Sequence, residues 1–475
     1  MTKNKLRSFS IIASITIIAL VIDTSISNVS DIINIKPLAS SFSYPNSLYQ
    51  WDFVTIIVIT YGIGQYFILR FIKQIQNDDD DKRNKNRPKY LKLFDKIITL
   101  IQYYAITPLI VVIVFQMLVS SQYTTGLVMT VLTISYLLSI TIFMMLSVQF
   151  FSWFYSSVKI TEQDSTGTKN TMLLLYGLAS AATSAALVFT LIFYDIVLLG
   201  KAPAIGMNSE VVFPHFYPDS TMGFINSLYS ILNVISFLLL WVSSAKLLRH
   251  FSKGLGNLRF WTVVGIPLAF FISQFIILMP SISQDEGENH ILMIILYSLQ
   301  GLIGGILFGI PFLDLSRRIK KVYSGSSSIK ITEYMIATAF GFMLTYVSGT
   351  ATIIHTPYPL FGLASVSFLG LSSYLVFVGL YNSATTVSQD NKLRQAIRKV
   401  AINELKLIDS IGTAQMEQEL QKRVLRIAKV TSSNMQEESG FQSSMSEDEV
   451  KEYLQFVIEE RKKMNEDKNP KSNER

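Results

Sequence analysis

Four neutral amide side chains lie well inside apolar stretches of this 475-residue sequence, namely Gln116, Asn233, Gln274 and Gln300. An amide both donates and accepts hydrogen bonds, so these residues could bind a neutral solute or could bond one helix to another. Ionisable residues in the same stretches, such as Asp23 and Asp195, fall toward the ends. The interior therefore offers hydrogen bonding without a recognisable acid–base pair.

Histidine is the second residue type that could do chemistry here, because imidazole and carboxylate groups together bind zinc or copper. Three histidines lie in or beside the connections between apolar stretches, namely His215, His290 and His355. Asp219 follows His215, and three acidic residues between positions 285 and 288 precede His290. No two histidines have the spacing of ligands on one helix face. We therefore predict no metal site and keep the three histidines only as outer-face candidates.

Enzymatic chemistry has little support in the sequence. The chain contains no cysteine, which excludes thiolate catalysis, cysteine-rich zinc sites and disulfides. No carboxylate pair, histidine cluster or activated nucleophile follows a known pattern. We therefore expect neither an enzyme nor a cofactor.

The composition is that of a membrane protein. Half of the residues are hydrophobic, only 16% are charged, and the mean hydropathy is +0.37. Soluble domains carry about a quarter charged residues. The apolar residues form blocks of about twenty or more, the length that crosses a hydrocarbon core of ~30 Å. This excludes a soluble enzyme, a secreted disulfide scaffold and a disordered regulator.

Ten apolar blocks predict an all-α, polytopic bundle of about ten transmembrane helices within residues 1–384. The first five blocks are Phe9–Ile26, Phe53–Ile75, Ile97–Val119, Gly126–Phe154 and Met172–Leu199. The second five are Gly223–Leu248, Phe260–Met279, Ile291–Leu313, Tyr334–Ile354 and Leu360–Ala384.

Lysine and arginine concentrate in every second connection between these blocks. The basic connections include residues 73–96, 159–169, 246–259 and 317–330, whereas the alternate connections hold only Lys36 and Lys201. By the positive-inside rule, the N-terminus, the basic connections and the C-terminal tail are cytoplasmic. We therefore predict a multi-pass protein of the cell membrane with both termini in the cytoplasm.

Short motifs recur along the chain in a matching order. Tyr44–Ser47 and Tyr217–Ser220 precede the second and sixth blocks, and Ser157–Glu162 and Ser328–Glu333 precede the fifth and ninth. The two intervals are 173 and 171 residues. This order predicts a tandem four-helix repeat. The alternative is that each motif is a turn and helix N-cap, which requires no duplication. The predicted units are residues 44–200 and 217–355.

Small residues recur at a spacing of four in two blocks. One row consists of Gly301, Gly305 and Gly309, and the other of Gly177, Ala181 and Ala185. This spacing places small side chains on one helix face, which lets two backbones approach closely. We therefore predict that both rows are helix-packing surfaces.

Residues 385–475 form a tail of different character, with amphipathic helices and a disordered end. A basic cluster suited to anionic lipid headgroups opens it and consists of Lys392, Arg394, Arg398 and Lys399. Apolar stripes predict one helix that ends near Gly412 and a second that begins near Met416. Polar residues 431–444 resemble a linker.

The charge and the tail stripes indicate the partners that we expect. The net charge is +7, but the tail holds 16 basic and 16 acidic residues, so the excess belongs to the membrane part. We therefore interpret the positive charge as a sign of membrane topology, and we expect no nucleic-acid partner. The partners that we expect are the lipid bilayer and, for the tail stripes, a cytoplasmic protein or a second copy of the chain.

Two tail segments carry a family resemblance. They are Ser-Gln-Asp-Asn-Lys-Leu-Arg at 388–394 and Asp-Ser-Ile-Gly-Thr-Ala-Gln-Met-Glu at 409–417. These segments resemble uncharacterised polytopic membrane proteins of ammonia-oxidising archaea. The resemblance covers mainly the last apolar block and the tail and carries no known active residues. The resemblance implies the kind of organism from which the protein comes, but it implies no mechanism.

Two function classes remain. The first is a transporter or channel for a neutral or weakly charged solute, with the four amides as candidate pathway residues. A proton- or cation-coupled pump is disfavoured, since such pumps usually carry ionisable residues in the membrane. The alternative is a membrane sensor or assembly scaffold that recruits a cytoplasmic partner through its tail helices.

Overall fold

The computed structural model describes residues 3–34, 46–77, 89–163, 171–200, 203–206, 221–249, 256–277, 288–322, 325–351, 359–390, 392–395 and 406–439. Nearly all of these residues are helical. The predicted all-α fold class is therefore confirmed.

Seven α-helices lie within the described residues of the first half of the chain. They are α1 (Lys3–Asn34), α2 (Asn46–Ile57), α3 (Tyr66–Asn77), α4 (Lys89–Leu100), α5 (Thr107–Ser120), α6 (Thr125–Gln163) and α7 (Thr171–Leu199). Two π-helical segments, π1 (Val58–Gln65) and π2 (Ile101–Ile106), join α2 to α3 and α4 to α5 into two continuous rods. Each of the first five apolar blocks therefore falls on one rod or helix.

The second half continues the bundle. The helices described there are α8 (Thr221–Arg249), α9 (Asn257–Ile277), α10 (Glu288–Val322), α11 (Ser326–Gly349), α12 (Leu363–Gln389) and α13 (Lys406–Ser439). Each of α8 to α12 falls on one of the second five apolar blocks. A short antiparallel ribbon, β1 (Gln122–Thr124) with β2 (Ala204–Gly206), links the connections before α6 and after α7.

Eight described helices or rods are long and apolar enough to cross a membrane, by length and composition. They include Leu6–Ser27, Gln50–Ile75, Lys92–Ser120, Thr125–Ser157, Thr171–Leu198, Gly223–Arg249, Leu299–Lys320 and Leu363–Gln389. The two other predicted blocks are also helical. The described apolar part of α9, Phe260–Ser273, is shorter than a full span, and α11 is not among the eight. The chain is therefore a multi-pass helical membrane protein.

Helix α12 lies at the centre of the bundle. Every residue from Leu363 to Ala384 is buried, although the segment carries serine and asparagine among its apolar residues. Its glycines permit close contact with two neighbours, because a Cβ on Gly370 would lie 3.1 Å from Cβ of Leu138 in α6. Similarly, a Cβ on Gly379 would lie 2.6 Å from the carbonyl oxygen of Tyr334 in α11. The other helices therefore enclose α12.

The first helix holds the beginning of α12 in place. The carboxylate of Asp23 in α1 is fully buried, and its Oδ1 accepts a hydrogen bond of 2.9 Å from the backbone N–H of Gly362. Gly362 has a φ of +90°, a conformation that other residues adopt only with strain. Next to it, Thr24 Oγ1 donates to Ser365 Oγ at 3.0 Å. The bond to Asp23 satisfies a backbone donor at the helix start, where N–H groups have no partner within the helix itself.

The basic helix ends lie together at one end of the bundle, which we call the basic end. Phe9 near the start of α1 stacks on Phe71 near the end of α3 at 3.6 Å, and Phe340 of α11 packs edge-on against Phe9. Lys246 near the end of α8 donates to Thr171 at the start of α7. Helices that precede and follow basic connections thus meet at the same end.

Helix α13 docks on the basic end. Leu407, Ile408 and Ile411 are buried there. The indole N–H of Trp153 in α6, itself fully buried, donates to Gln415 Oε1 at 3.0 Å. The beginning of the tail helix is therefore bonded to the membrane domain of its own chain.

The expected helix end near Gly412 is wrong. Helix α13 is continuous from Lys406 to Ser439, so the first part of the expected linker at 431–444 is also helical. A Cβ on Gly412 would overlap Cγ1 of Val387 in α12. Glycine at this position therefore serves a close helix–helix contact rather than helix termination. Residues 440–475, where we expected a disordered end, lie outside the described residues.

Candidate functional site

A cavity of about 350 Å³ lies between α6, α7, α8, α9, α10, α11 and α12. Residues near the middle of α6, α7 and α8 line it, including Phe143, Thr183 and Asn233. The C-terminal end of α11 and the first turns of α12 complete the wall with Thr345, Tyr346 and Leu369. Its volume lies within the range of about 300–1,000 Å³ that is common for small-molecule sites.

Aromatic rings form much of the cavity wall. Phe237 of α8 stacks on Phe271 of α9, with ring centroids 3.8 Å apart. Phe308 of α10 and Tyr346 of α11 meet edge to face at 4.9 Å, and Phe237 packs against both. These rings come from four helices and contact one another. They provide an apolar surface that is held in shape by its own packing.

Hydroxyl and amide groups stand on other parts of the wall. Thr183 Oγ1 of α7 and Ser236 Oγ of α8 form a hydrogen bond of 2.8 Å. Asn233 Nδ2 donates to the carbonyl oxygen of Tyr229, one turn earlier in α8, at 3.1 Å. That bond uses one of the two donors of the amide. The wall thus combines aromatic surface with neutral hydrogen-bonding groups.

Tyr346 and Gln300 form the polar pair between α10 and α11. The Tyr346 hydroxyl lies near the Gln300 side chain, and both residues line the cavity. A Cβ on Gly304, one turn after Gln300, would overlap Cε1 of the Tyr346 ring. Only glycine at position 304 leaves space for this ring. Gly304 therefore fixes the place of Tyr346, and Tyr346 in turn lies near Gln300.

Charge is absent from the described lining of the cavity, since none of the described residues that form it is Asp, Glu, Lys, Arg or His. A charged ligand would therefore lose its hydration without meeting an opposite charge there. The arrangement favours a neutral molecule.

The structure brings two of the four predicted pathway residues to this cavity, Asn233 and Gln300. Gln116 lies elsewhere, near the end of α5, where its Oε1 accepts a hydrogen bond of 2.8 Å from Thr124 Oγ1 in β1. The side chain of Gln274 lies outside the described residues.

The glycines of the first small-residue row face α11. A Cβ on Gly301 would lie 2.5 Å from Thr350 Oγ1, and a Cβ on Gly305 would lie 3.0 Å from the carbonyl oxygen of Met343. A Cβ on Gly309 would lie 2.8 Å from the carbonyl oxygen of Ala339. Of the second row, Gly177 faces Phe150 and Phe151 of α6. The remaining members of that row, Ala181 and Ala185, are half-buried.

The lipid-headgroup and metal candidates are described only in part. Lys392 is exposed, and Arg394 is half-buried beside Met416 of α13. Arg398 and Lys399 lie outside the described residues, as do the side chains of His215, His290 and His355. In the part of the chain that the structure describes, no three His, Asp or Glu residues form a group that could hold a metal ion.

The structure brings together two amides that the sequence analysis did not select, Gln65 and Gln102. Gln65 at the end of π1 accepts a hydrogen bond of 3.1 Å from Gln102 Nε2 in π2, and Gln65 Nε2 donates to Thr107 Oγ1 at 3.0 Å. Both glutamines are buried. Both also lie inside apolar blocks, so the criterion that selected Gln116 would have found them. This pair bonds two rods together and lies apart from the cavity wall.

Comparison with protein-family models, curated proteins and solved structures finds no match to this chain.

Proposed function

We propose that this protein is a transporter or channel for a neutral or weakly charged solute, and that the solute passes through the cavity between α7, α8, α10 and α11. The observation that carries this proposal is a cavity of about 350 Å³ within a membrane bundle, lined by neutral polar and aromatic side chains. A bundle that served only as a scaffold would have no need of such a space.

The polar groups of the cavity support a pathway. Asn233 and Gln300 stand on its wall together with the Thr183–Ser236 hydroxyl pair. Unlike these groups, Gln65 and Gln102 are buried, are bonded to each other and do not line this cavity. The cavity amides are therefore the groups that could replace water around a polar solute within the membrane.

The membrane orientation is part of this proposal. The basic end of the bundle, which carries Lys73, Lys246 and Arg317, faces the cytoplasm of a cell membrane, in agreement with the positive-inside rule. Both termini are then cytoplasmic, and α13 lies at the inner membrane surface. The two four-helix units at 44–200 and 217–355 are repeats in this scheme, and most of the cavity wall belongs to helices of the second unit.

A sensor or scaffold is the second candidate, and one feature of the tail favours it. Beyond the docked part of α13, Leu420 and Ile427 are 46% and 64% exposed, and Lys422, Arg423 and Arg426 are also exposed. This part of the helix presents apolar and basic side chains that a cytoplasmic partner could bind. In the docked part of α13, Leu407 and Ile411 are covered by the chain itself. In this alternative, a cytoplasmic partner therefore binds the later part of the helix.

Solute uptake into proteoliposomes tests the transport proposal. Vesicles that contain the full chain should take up at least one of the neutral solutes urea, glycerol and benzamide faster than empty vesicles. Substitution of Asn233 by Leu should reduce this uptake several-fold, since it removes a hydrogen-bonding group from the wall. Uptake equal to that of empty vesicles across all three solutes would contradict transport.

A further inference from the structure

We infer that the cavity binds a neutral molecule with a planar apolar body and one amide or hydroxyl group. This inference names the solute class for the site and so rests on the proposed function.

The aromatic cluster defines the apolar body of the ligand. Phe237, Phe271, Phe308 and Tyr346 come from four different helices and contact one another at the cavity wall. Rings fixed in this way present flat faces and edges, against which a planar ring packs with more contact than a branched chain. A small solute that is polar all round would leave this surface unused.

The polar groups define the other part of the ligand. Gln300 carries both donors and an acceptor, and its amide is held beside the Tyr346 hydroxyl. The hydroxyl groups of Thr183 and Ser236 also belong to the wall. An amide or hydroxyl on the ligand matches this set, because it can donate to one group and accept from another.

The absence of countercharge excludes ionised relatives of the same molecule. No described lining residue is charged, so either an anion or a cation would be desolvated without an ion pair. Aromatic faces attract cations, and a cationic ligand is therefore the strongest competing class. Compounds of equal shape and different charge can separate these two classes.

Benzamide, benzoate and benzamidinium form such a series, since all three have the same ring and nearly the same outline. We would titrate each compound into the purified full-length protein in detergent and follow the melting temperature, which rises with bound ligand. Benzamide should bind at least tenfold more tightly than benzoate or benzamidinium. Toluene, which lacks the polar group, should bind more weakly than benzamide, and acetamide, which lacks the ring, should not bind measurably.

Two matched variants test whether benzamide binds in the cavity. Substitution of Gln300 by Leu should weaken benzamide binding about tenfold, a typical loss for one hydrogen bond in a buried site. The same substitution should leave toluene binding unchanged within a factor of two. Gln116→Leu makes the same chemical change at an amide bonded to Thr124 away from the cavity, and should leave benzamide binding unchanged.

The outcomes separate this inference from the proposed function. Tight binding of benzamidinium or benzoate, or the lack of saturable binding by any ring compound, would overturn the ligand class. Benzamide binding that is sensitive to Gln300 but accompanied by no uptake would support the ligand class and contradict transport. Uptake of glycerol or urea without benzamide binding would support transport and contradict the ligand class.

Discussion

The carboxylate of Asp23 accepts hydrogen bonds from both the backbone N–H and the hydroxyl of Ser365, at 2.9 and 2.8 Å. Asp23 belongs to α1 and Ser365 to the first turn of α12, so the first apolar helix caps the last one. A carboxylate at a helix N-terminus also interacts favourably with the helix dipole. The contact therefore anchors the central helix of the bundle through a buried carboxylate that accepts from Gly362 as well as from Ser365.

Replacement of Asp23 by Asn should destabilise the protein. Asparagine keeps the shape but removes the charge and one acceptor, so a buried donor of Gly362 or Ser365 loses its bond. We expect a loss of about 1–3 kcal/mol in the free energy of unfolding. The melting temperature of the purified protein in detergent measures this effect.

Asp195 of α7 provides the matched control, because its side chain is exposed. Asp195→Asn should change the melting temperature little. Equal melting temperatures for wild type and Asp23→Asn would show that the capping contact contributes nothing to stability.

Replacement of Gly304 by Ala should disturb the cavity rather than merely strengthen the helix. The added methyl group would overlap the Tyr346 ring, which must then move away from Gln300. Benzamide affinity should fall at least fivefold, as measured by the same melting titration.

Gly265 of α9 offers the corresponding control, since a Cβ there meets no atom within 4 Å. Alanine has the higher helix propensity by about 1 kcal/mol, so Gly265→Ala should leave binding unchanged and stability equal or higher. Full benzamide affinity in Gly304→Ala would refute the role given to Tyr346.

Replacement of Gly412 by Ala should release the docked part of α13. The added methyl group would overlap Val387 of α12 and force the two helices apart. Backbone amides of residues 407–418 should then exchange hydrogen for deuterium several-fold faster, because the docked contacts protect them in the wild type.

A second substitution tests whether the overlap with Val387 causes the faster exchange. Val387→Gly in the Gly412→Ala background removes both side-chain atoms of Val387 that would clash with the methyl group, and should restore slow exchange. Fast exchange in both variants would point to a different origin, and slow exchange in Gly412→Ala alone would show that the contact has room for a side chain.

The sequence predicts the membrane fold well, because hydropathy and block length follow directly from the thickness of a bilayer. Each of the ten apolar blocks falls on a helix. Hydropathy also allows interior polar residues to be identified, and two of the four selected amides, Asn233 and Gln300, line the cavity. Their positions around a shared space depend on helix arrangement, which hydropathy does not report.

Contacts between distant segments account for what the sequence does not predict. Glycine is typical of helix ends, which is why the sequence predicts one near Gly412. The contact between Gly412 and Val387 depends instead on how the tail folds back onto α12. Gly304 falls outside the four-residue spacing of the predicted row, and only the Tyr346 ring explains it. Asp23 lies near the end of an apolar block, and its role depends on a residue more than 300 positions away.

The comparison of solute uptake between Gln300→Leu and Gln116→Leu tests the central claim most directly. Both variants lose one amide, but only Gln300 stands at the cavity. In proteoliposomes with equal amounts of folded protein, benzamide uptake should fall at least fivefold in Gln300→Leu and stay at the wild-type rate in Gln116→Leu. Equal uptake rates in the wild type and in both variants would contradict a solute pathway through this cavity.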